Sequence, residues 1–190
     1  MITAFLWHVS CDMLFLEESC TFELQGLGLS ILKRLLAVLM VLGRYVATIV
    51  LVGFVLNELW EMAQMSAYRE TAGHSWMSTL GFCTRAAVGD VGIILGIYAV
   101  GALAANDLSW GLCGRWNIYA TAAFLGLVYA TLVEHSALAV GRWSYTENMP
   151  MVSMLDAGLW PILQMTLLPP LTFWIARQGV ERSATKGESL

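Results

Sequence analysis

The sequence predicts an all-α membrane protein, built as a four-helix transmembrane bundle with an N-terminal interfacial segment. Of its 190 residues, 58% are hydrophobic and only 13% are charged, against about 45–50% and 25% in soluble domains. The apolar residues gather in four stretches, Leu35–Leu56, Val91–Ala105, Ile118–Val133 and Val152–Ala176. Because about 20 mostly apolar residues cross a bilayer as a helix, each stretch is a candidate span.

The second and third stretches reach a spanning length only when they include the polar residues at their ends. The second must extend back through Gly89 and Asp90, and the third must continue through Glu134 and His135. A charge at the bilayer centre costs about 2.5–3.5 kcal/mol on insertion scales, so acids in spans are candidate functional residues. We therefore expect these residues inside the membrane rather than in loops.

These stretches divide the chain into three parts. Residues 1–34 form an N-terminal extension, residues 35–178 a four-span membrane domain, and residues 179–190 a cytoplasmic tail. The extension lacks the basic region and cleavage site of a signal peptide. An interfacial helix fits its mixture of apolar and acidic residues better.

Basic residues set the expected orientation. Seven of the ten lie at the termini or between the second and third spans, and Arg69, Arg85 and Arg142 lie in the other two loops. The positive-inside rule then places both termini in the cytoplasm. We expect a multi-pass protein of the bacterial cytoplasmic (inner) membrane.

The end of the first span carries a polar stripe. Asn57, Glu61, Gln64 and Tyr68 follow one another at helical spacing and share one face, with Glu58 and Trp60 beside them. This pattern predicts a pocket wall with a proton donor or cation stabiliser. The alternative is a helix end that enters the headgroup region, where acids are tolerated.

Polar residues also mark the second and fourth spans. Asp90 is either a site residue or an N-cap, and the glycines at 92 and 96 that follow it allow close helix approach. In the fourth span Asp156, Trp160 and Gln164 recur every four residues, and Pro161 predicts a kink beneath them.

The third span ends in Glu134 and His135, followed by a loop rich in aromatic residues. Histidine is the side chain whose unperturbed pKa suits proton transfer near neutral pH, although a lone histidine is often structural. Trp143 and Tyr145 fit either an interfacial aromatic belt or a lid over the pocket. In the lid interpretation, Arg142 pairs with a carboxylate or with an anionic headgroup.

Several kinds of site are disfavoured. The chain has three histidines and four cysteines without the spacing of zinc, di-iron or histidine-box sites, so we expect no metal and no cofactor. The net charge of −4 is spread over loops and tails and gives no reason to expect nucleic acid. The expected partners are a membrane lipid or hydrophobic small molecule, and a second copy or another membrane subunit.

From residue 44 to residue 177 the chain resembles a group of small, functionally unassigned bacterial integral membrane proteins, which implies a fold but no activity. The matching residues are Glu61, Gln64, Gly89, Asp90, Glu134, Trp143, Tyr145, Met149, Pro150, Pro161, Gln164, Pro169 and Pro170.

Two enzyme families share shorter features with the chain. The Asn57-x-x-Trp60-Glu61 segment is similar to the Trp-Glu element of membrane-bound terpene cyclases, which implies that Glu61 is a proton donor. Glu134-His135, with the later Leu-Trp-Pro at residues 159–161, resembles sterol isomerases of the emopamil-binding type. That resemblance implies protonation and deprotonation of a sterol by carboxylates.

These observations lead to two functional hypotheses. In the first, the protein isomerises or cyclises an isoprenoid-like lipid, with Glu61 as acid, Glu134 and His135 as base or relay, and Asp90 as orienting residue. In the second, it is a non-enzymatic small carrier or accessory subunit. The expected substrate-binding residues are Asn57, Glu58, Trp60, Gln64, Trp143, Tyr145, Trp160 and Gln164.

The orientation can be measured with single cysteines. We expect a membrane-impermeant maleimide to label Thr146→Cys from outside intact cells and to leave Ser183→Cys unlabelled, because the two sites lie on opposite sides of the membrane. Labelling of Ser183→Cys in intact cells would contradict cytoplasmic termini.

Overall fold

Four long helices dominate the computed structural model, which describes residues 27–71 and 73–187. They are α1 (Leu27–Gln64), α2 (Trp76–Ala105), α3 (Trp116–Ala139) and α4 (Leu159–Gly187). Within the described residues, four helices are long and apolar enough to cross a membrane. The predicted all-α membrane bundle is therefore confirmed. Residues 1–26 of the predicted interfacial segment lie outside the described residues.

Helix boundaries differ from the predicted spans in three places. Helix α1 already begins at Leu27 and α4 continues to Gly187, beyond the span limits at residues 35 and 178. Helix α2 begins at Trp76, where Ser75 caps it by accepting a hydrogen bond from the Ser78 amide at 3.3 Å. Asp90 thus lies about 21 Å along α2, at about 1.5 Å per residue. The alternative that Asp90 is an N-cap is wrong.

Short connections join the helices. Two 3-10 turns, Met65–Ala67 and Arg69–Thr71, lie between α1 and α2, and a third, Trp110–Leu112, lies between α2 and α3. Helix α2 ends at Ala105 and is capped by Asn106, whose left-handed backbone (φ 50°) lets its amide bond to the carbonyls of the last turn. These connections make successive helices antiparallel.

The connection from α3 to α4 contains a small antiparallel hairpin of β1 (Met151–Val152) and β2 (Ala157–Gly158). Asp156 lies in the hairpin turn with φ 47° and is exposed. The predicted helical stripe of Asp156, Trp160 and Gln164 is therefore wrong, because α4 begins only after the hairpin. Below, the end of the bundle that carries this hairpin is called the polar end.

Each helix packs on its neighbours in a ring, with α1 against α2 and α4, and α3 against α4 and α2. The end opposite the polar end holds an aromatic core. There Tyr98 stacks on Trp110 at 6.2 Å between ring centroids, and both rings meet Phe173 edge to face. Tyr45 joins this cluster by donating a hydrogen bond to the Gly111 carbonyl at 3.1 Å. Apolar packing is thus concentrated away from the acids.

Proline and glycine together bring α3 close to α4. Pro169 lies inside α4 and has no N–H, so the carbonyl of Met165 one turn earlier lacks its usual helical donor. A Cβ at Gly126 of α3 would lie 1.7 Å from that carbonyl oxygen, so only glycine fits there. Pro161 instead lies in the first turn of α4, where proline is tolerated, and the predicted kink at that residue is wrong.

The three glycines of α2 at 89, 92 and 96 do not mediate this kind of contact. A Cβ placed at Gly89, Gly92 or Gly96 would meet nothing within 4 Å. This face of α2 is therefore open, and the close helix approach expected at these glycines does not occur among the described residues.

The two kinds of glycine predict different mutational effects. We expect Gly126→Ala to lower the free energy of unfolding by about 1–3 kcal/mol, because the added methyl group overpacks the contact with α4. Denaturation of the purified protein in mixed detergent micelles measures the change. Gly92→Ala, the matched control, should be neutral or slightly stabilising, and equal losses in both variants would refute the packing argument.

Candidate functional site

The side-chain amide of Gln164 lies at the centre of the polar end. Its nitrogen is 3.0 Å from Asn57 Oδ1, 2.9 Å from Glu61 Oε1 and 2.8 Å from Asp90 Oδ2. One amide group of α4 thus contacts acceptors on both α1 and α2. Gln164 is only 2% exposed and Asn57 is fully buried, so water does not replace these contacts.

A second amide extends the same network along α1. Gln64 Nε2 donates to Glu61 Oε1 and to Gln164 Oε1, both at 2.9 Å. The Gln64 oxygen accepts from the Trp60 indole at 3.2 Å. The predicted polar stripe of α1 therefore faces the bundle interior, as the pocket-wall interpretation requires, and the headgroup alternative is wrong for Asn57 and Gln64.

Glu61 and Asp90 meet at the same amide group. Glu61 Oε1 and Asp90 Oδ2 lie 2.9 and 2.8 Å from Gln164 Nε2, so the two carboxyl groups are close to each other. No salt bridge among the described residues reaches either group. Their neighbours in the network are neutral amides, so no cation among the described residues offsets a negative charge on either acid.

Glu58 lies beside this network but bonds elsewhere. Its Oε1 accepts from the Thr84 hydroxyl of α2 at 3.1 Å, and its Oε2 is buried without a hydrogen-bond partner among the described residues. No hydrogen bond joins it to Glu61 among the described residues. The structure thus places Glu58 at the side of the predicted pocket wall.

A second acidic centre lies at the end of α3. Glu134 is 4% exposed, and its Oε2 accepts hydrogen bonds from the Tyr145 hydroxyl and, at 3.2 Å, from the Trp143 indole. The Tyr145 oxygen also accepts from the Gly158 amide at 3.1 Å, which ties it to strand β2. Burial and the nearby Glu134 raise the pKa of Tyr145, so its phenol remains a donor at neutral pH.

Backbone pairing between two loops brings the aromatic residues to this centre. The Arg69 amide donates to the Ser144 carbonyl at 3.0 Å, and the Thr146 amide donates to the Ala67 carbonyl at 2.9 Å. These bonds form an antiparallel bridge between Tyr68 and Tyr145. The loop after α3 therefore lies over Glu134, as the lid interpretation predicts.

Tyr68 joins the aromatic residues beside Glu134. Its ring contacts those of Tyr145 and Trp143 edge to face, with centroids 5.8 and 6.4 Å apart. Burial raises the pKa of the Tyr68 phenol, and the nearby Glu134 raises it further. The phenol therefore stays neutral at neutral pH. The sequence places Tyr68 on the polar stripe but gives no signal of these contacts.

Two predicted site residues lie outside this arrangement. His135 is exposed, and its Nε2 lies 2.6 Å from the Leu155 carbonyl of the hairpin rather than near Glu134. Since a carbonyl only accepts, that nitrogen carries a proton. Trp160 is 37% exposed on the surface of α4. The structure gives His135 a role in positioning the hairpin and gives Trp160 no contact with the acids.

Comparisons of the chain with protein-family models, with curated proteins and with solved structures found no match. The part of the chain that the structure describes contains no group of three histidine, cysteine or acidic residues that could hold a metal ion.

Gln164 should be important for stability as well as for the site. We expect Gln164→Leu to lower the free energy of unfolding by about 1–3 kcal/mol, because it leaves buried acceptors on α1 and α2 without a donor. Thr166→Val is the control on the same helix, since it removes only a bond to the Ile162 carbonyl within α4. The idea fails if both variants unfold at the same detergent concentration as the parent protein.

Proposed function

We propose that the protein is an enzyme that isomerises or cyclises an isoprenoid-like lipid by acid/base chemistry. The observation that carries this proposal is the pairing of two different acidic centres at one end of the bundle. In this proposal the Glu61–Asp90 pair carries a proton, because two buried carboxyl groups meet at one amide and no salt bridge among the described residues reaches them. Glu134 instead receives two donors on one oxygen and is arranged as an acceptor. A proton donor and a proton acceptor close together are what such a reaction requires.

The two steps of the proposed reaction use Glu61 and Glu134 in turn. Glu61 transfers the proton of the pair to one carbon of a substrate double bond, which forms a C–H bond and leaves a carbocation on the adjacent carbon. Glu134 then removes a proton from a neighbouring carbon, and the electrons of that C–H bond form the new double bond. No electrons are gained or lost, so the chemistry requires no redox partner.

The aromatic residues support the charged intermediate. The rings of Tyr68, Trp143 and Tyr145 lie in mutual contact beside Glu134. Aromatic faces stabilise cations by about 0.5–2 kcal/mol each, more strongly where water is excluded. In this proposal the phenol of Tyr68, whose ring contacts Tyr145 beside Glu134, returns the proton from Glu134 to the Glu61–Asp90 pair. Asp90 holds the proton on Glu61 and orients it.

The membrane in which the protein lies, and its orientation there, are part of the same proposal. With both termini in the cytoplasm, α1 and α3 end on the outward side of a bacterial cytoplasmic membrane, and α2 and α4 begin there. The polar end then lies in the outer half of that membrane, where a membrane lipid can reach it from the side.

A second candidate function is a non-enzymatic carrier or accessory subunit. The open face of α2 at Gly89, Gly92 and Gly96 favours it, because small residues let a helix of another subunit or a second copy approach closely. In that case the carboxyl pair binds a proton or contacts the partner without chemical turnover.

Deuterium exchange tests the enzyme on a mixture of candidate substrates. The purified protein is incubated in D₂O with lipids extracted from its host membrane, and mass spectrometry detects lipids that gain deuterium on carbon. We expect Glu61→Gln and Glu134→Gln to reduce this incorporation about 10²–10⁴-fold, because glutamine keeps the shape but transfers no proton. Trp143→Phe should cost less, since an aromatic ring remains.

Glu147→Gln is the matched control, because Glu147 is an exposed acid in the same loop. It should leave incorporation unchanged. Full incorporation in both site variants, or none in the parent protein, would refute the enzyme and favour the accessory-subunit function.

A further inference from the structure

A shallow groove lies on the outer surface at the end of α3. Its volume is about 280 Å³, and it is lined by Leu132, Val133, Ser136, Ala137, Val140 and Arg142. Most of this lining is apolar, and Leu132 and Val140 are largely exposed. Because α3 is a candidate membrane span that ends at Ala139, the groove extends from the apolar part of the span to its edge.

Arg142 provides the cation at that edge. Its guanidinium lies over the Trp143 ring, 5.3 Å from the centroid, and the side chain is exposed. No acid among the described residues forms a salt bridge with it. Of the two partners expected for Arg142 from the sequence, a carboxylate is therefore not observed, and the charge is available to an external anion.

From this geometry we propose that the groove binds a lipid with an anionic phosphate headgroup. The acyl chain lies along Leu132, Val133 and Val140, where the surface is apolar. The phosphate lies against Arg142, whose planar guanidinium can donate two parallel hydrogen bonds to phosphate oxygens. A lipid fits this groove better than a soluble phosphate does, because the apolar lining needs a hydrophobic occupant.

The groove also adjoins the candidate site. Trp143 carries the Arg142 guanidinium on its ring and donates its indole N–H to Glu134. Only the Trp143 side chain therefore lies between a headgroup bound to Arg142 and the carboxylate of Glu134. The binding proposal does not depend on catalysis, since it concerns only the charge and shape of the outer surface.

Native mass spectrometry of the full-length protein in a non-ionic detergent tests whether the groove binds an anionic lipid. The probes are phosphatidylglycerol, which has an anionic phosphate, and diacylglycerol, which has the same acyl chains but no phosphate. We expect the parent protein to bind phosphatidylglycerol more tightly, and Arg142→Gln to weaken that binding about tenfold without changing diacylglycerol binding. Excess glycerol 3-phosphate should not displace the lipid, because it lacks the acyl chains.

Arg85→Gln is the matched control. Arg85 is also exposed and lies over an aromatic ring, 5.7 Å from the centroid of Phe82, but it does not line the groove. It should bind both lipids like the parent protein. A second variant, Ser136→Phe, fills the groove and should weaken both lipids while the unfolding midpoint stays unchanged.

Three results would overturn the proposal. These are parent-like phosphatidylglycerol binding by Arg142→Gln, an equal loss in Arg85→Gln, and displacement of the lipid by glycerol 3-phosphate. None of them bears on deuterium exchange, so failure of this site and failure of the proposed enzyme are distinguishable.

Discussion

Polar groups inside a bilayer must be satisfied within the protein, because no water is present to replace a missing partner. In this bundle Gln164 satisfies several of these groups at once. Its amide nitrogen contacts acceptors on α1 and α2, and its oxygen accepts a hydrogen bond from Gln64. A one-residue rotation of α4 would remove all of these bonds together. The amide therefore fixes the rotation of α4 relative to its neighbours, and with it the place where the acids of α1 and α2 meet.

Most of the apolar packing of the bundle lies away from the polar end. The aromatic cluster around Trp110 and Phe173 fills the opposite end, and the Gly126 contact with α4 closes the middle of the bundle. Because apolar packing is supplied elsewhere, the acids at the polar end are not needed to fill space. Their cost in a membrane is then best explained by a function. The loops that pair Tyr68 with Tyr145 complete the same centre from outside the helices.

Features that depend on a single helix could be predicted from the sequence. The apolar stretches locate the spans, and helical spacing identifies the inward face of α1 with Asn57, Glu61 and Gln64. The start of α2 is harder to locate, because its first two turns mix polar residues with apolar ones. The N-cap Ser75 is the local signal that marks this start. The sequence does not show which of Glu134 and His135 faces the site, since neighbouring residues point about 100° apart and the deciding partners, Trp143 and Tyr145, lie outside the helix in the loop that follows it. The α3–α4 hairpin pairs Met151 with Gly158 and so removes Asp156 from α4, and helical spacing gives no signal of that pairing.

The hydrogen count at Gln164 connects this structural role to the proposed chemistry. Its amide has two hydrogens, yet Asn57, Glu61 and Asp90 all place an oxygen within 3.0 Å of it. Gln64 gives a hydrogen to Glu61 Oε1, so the two hydrogens of Gln164 suffice for Asn57 and Asp90, and its own oxygen accepts the second hydrogen of Gln64. All four amide hydrogens are therefore in use, and neither amide can donate further to the charge that the proposed reaction leaves on the acid pair when it gives up a proton. In that proposal the unpaired charge favours return of the proton to Glu61 and Asp90.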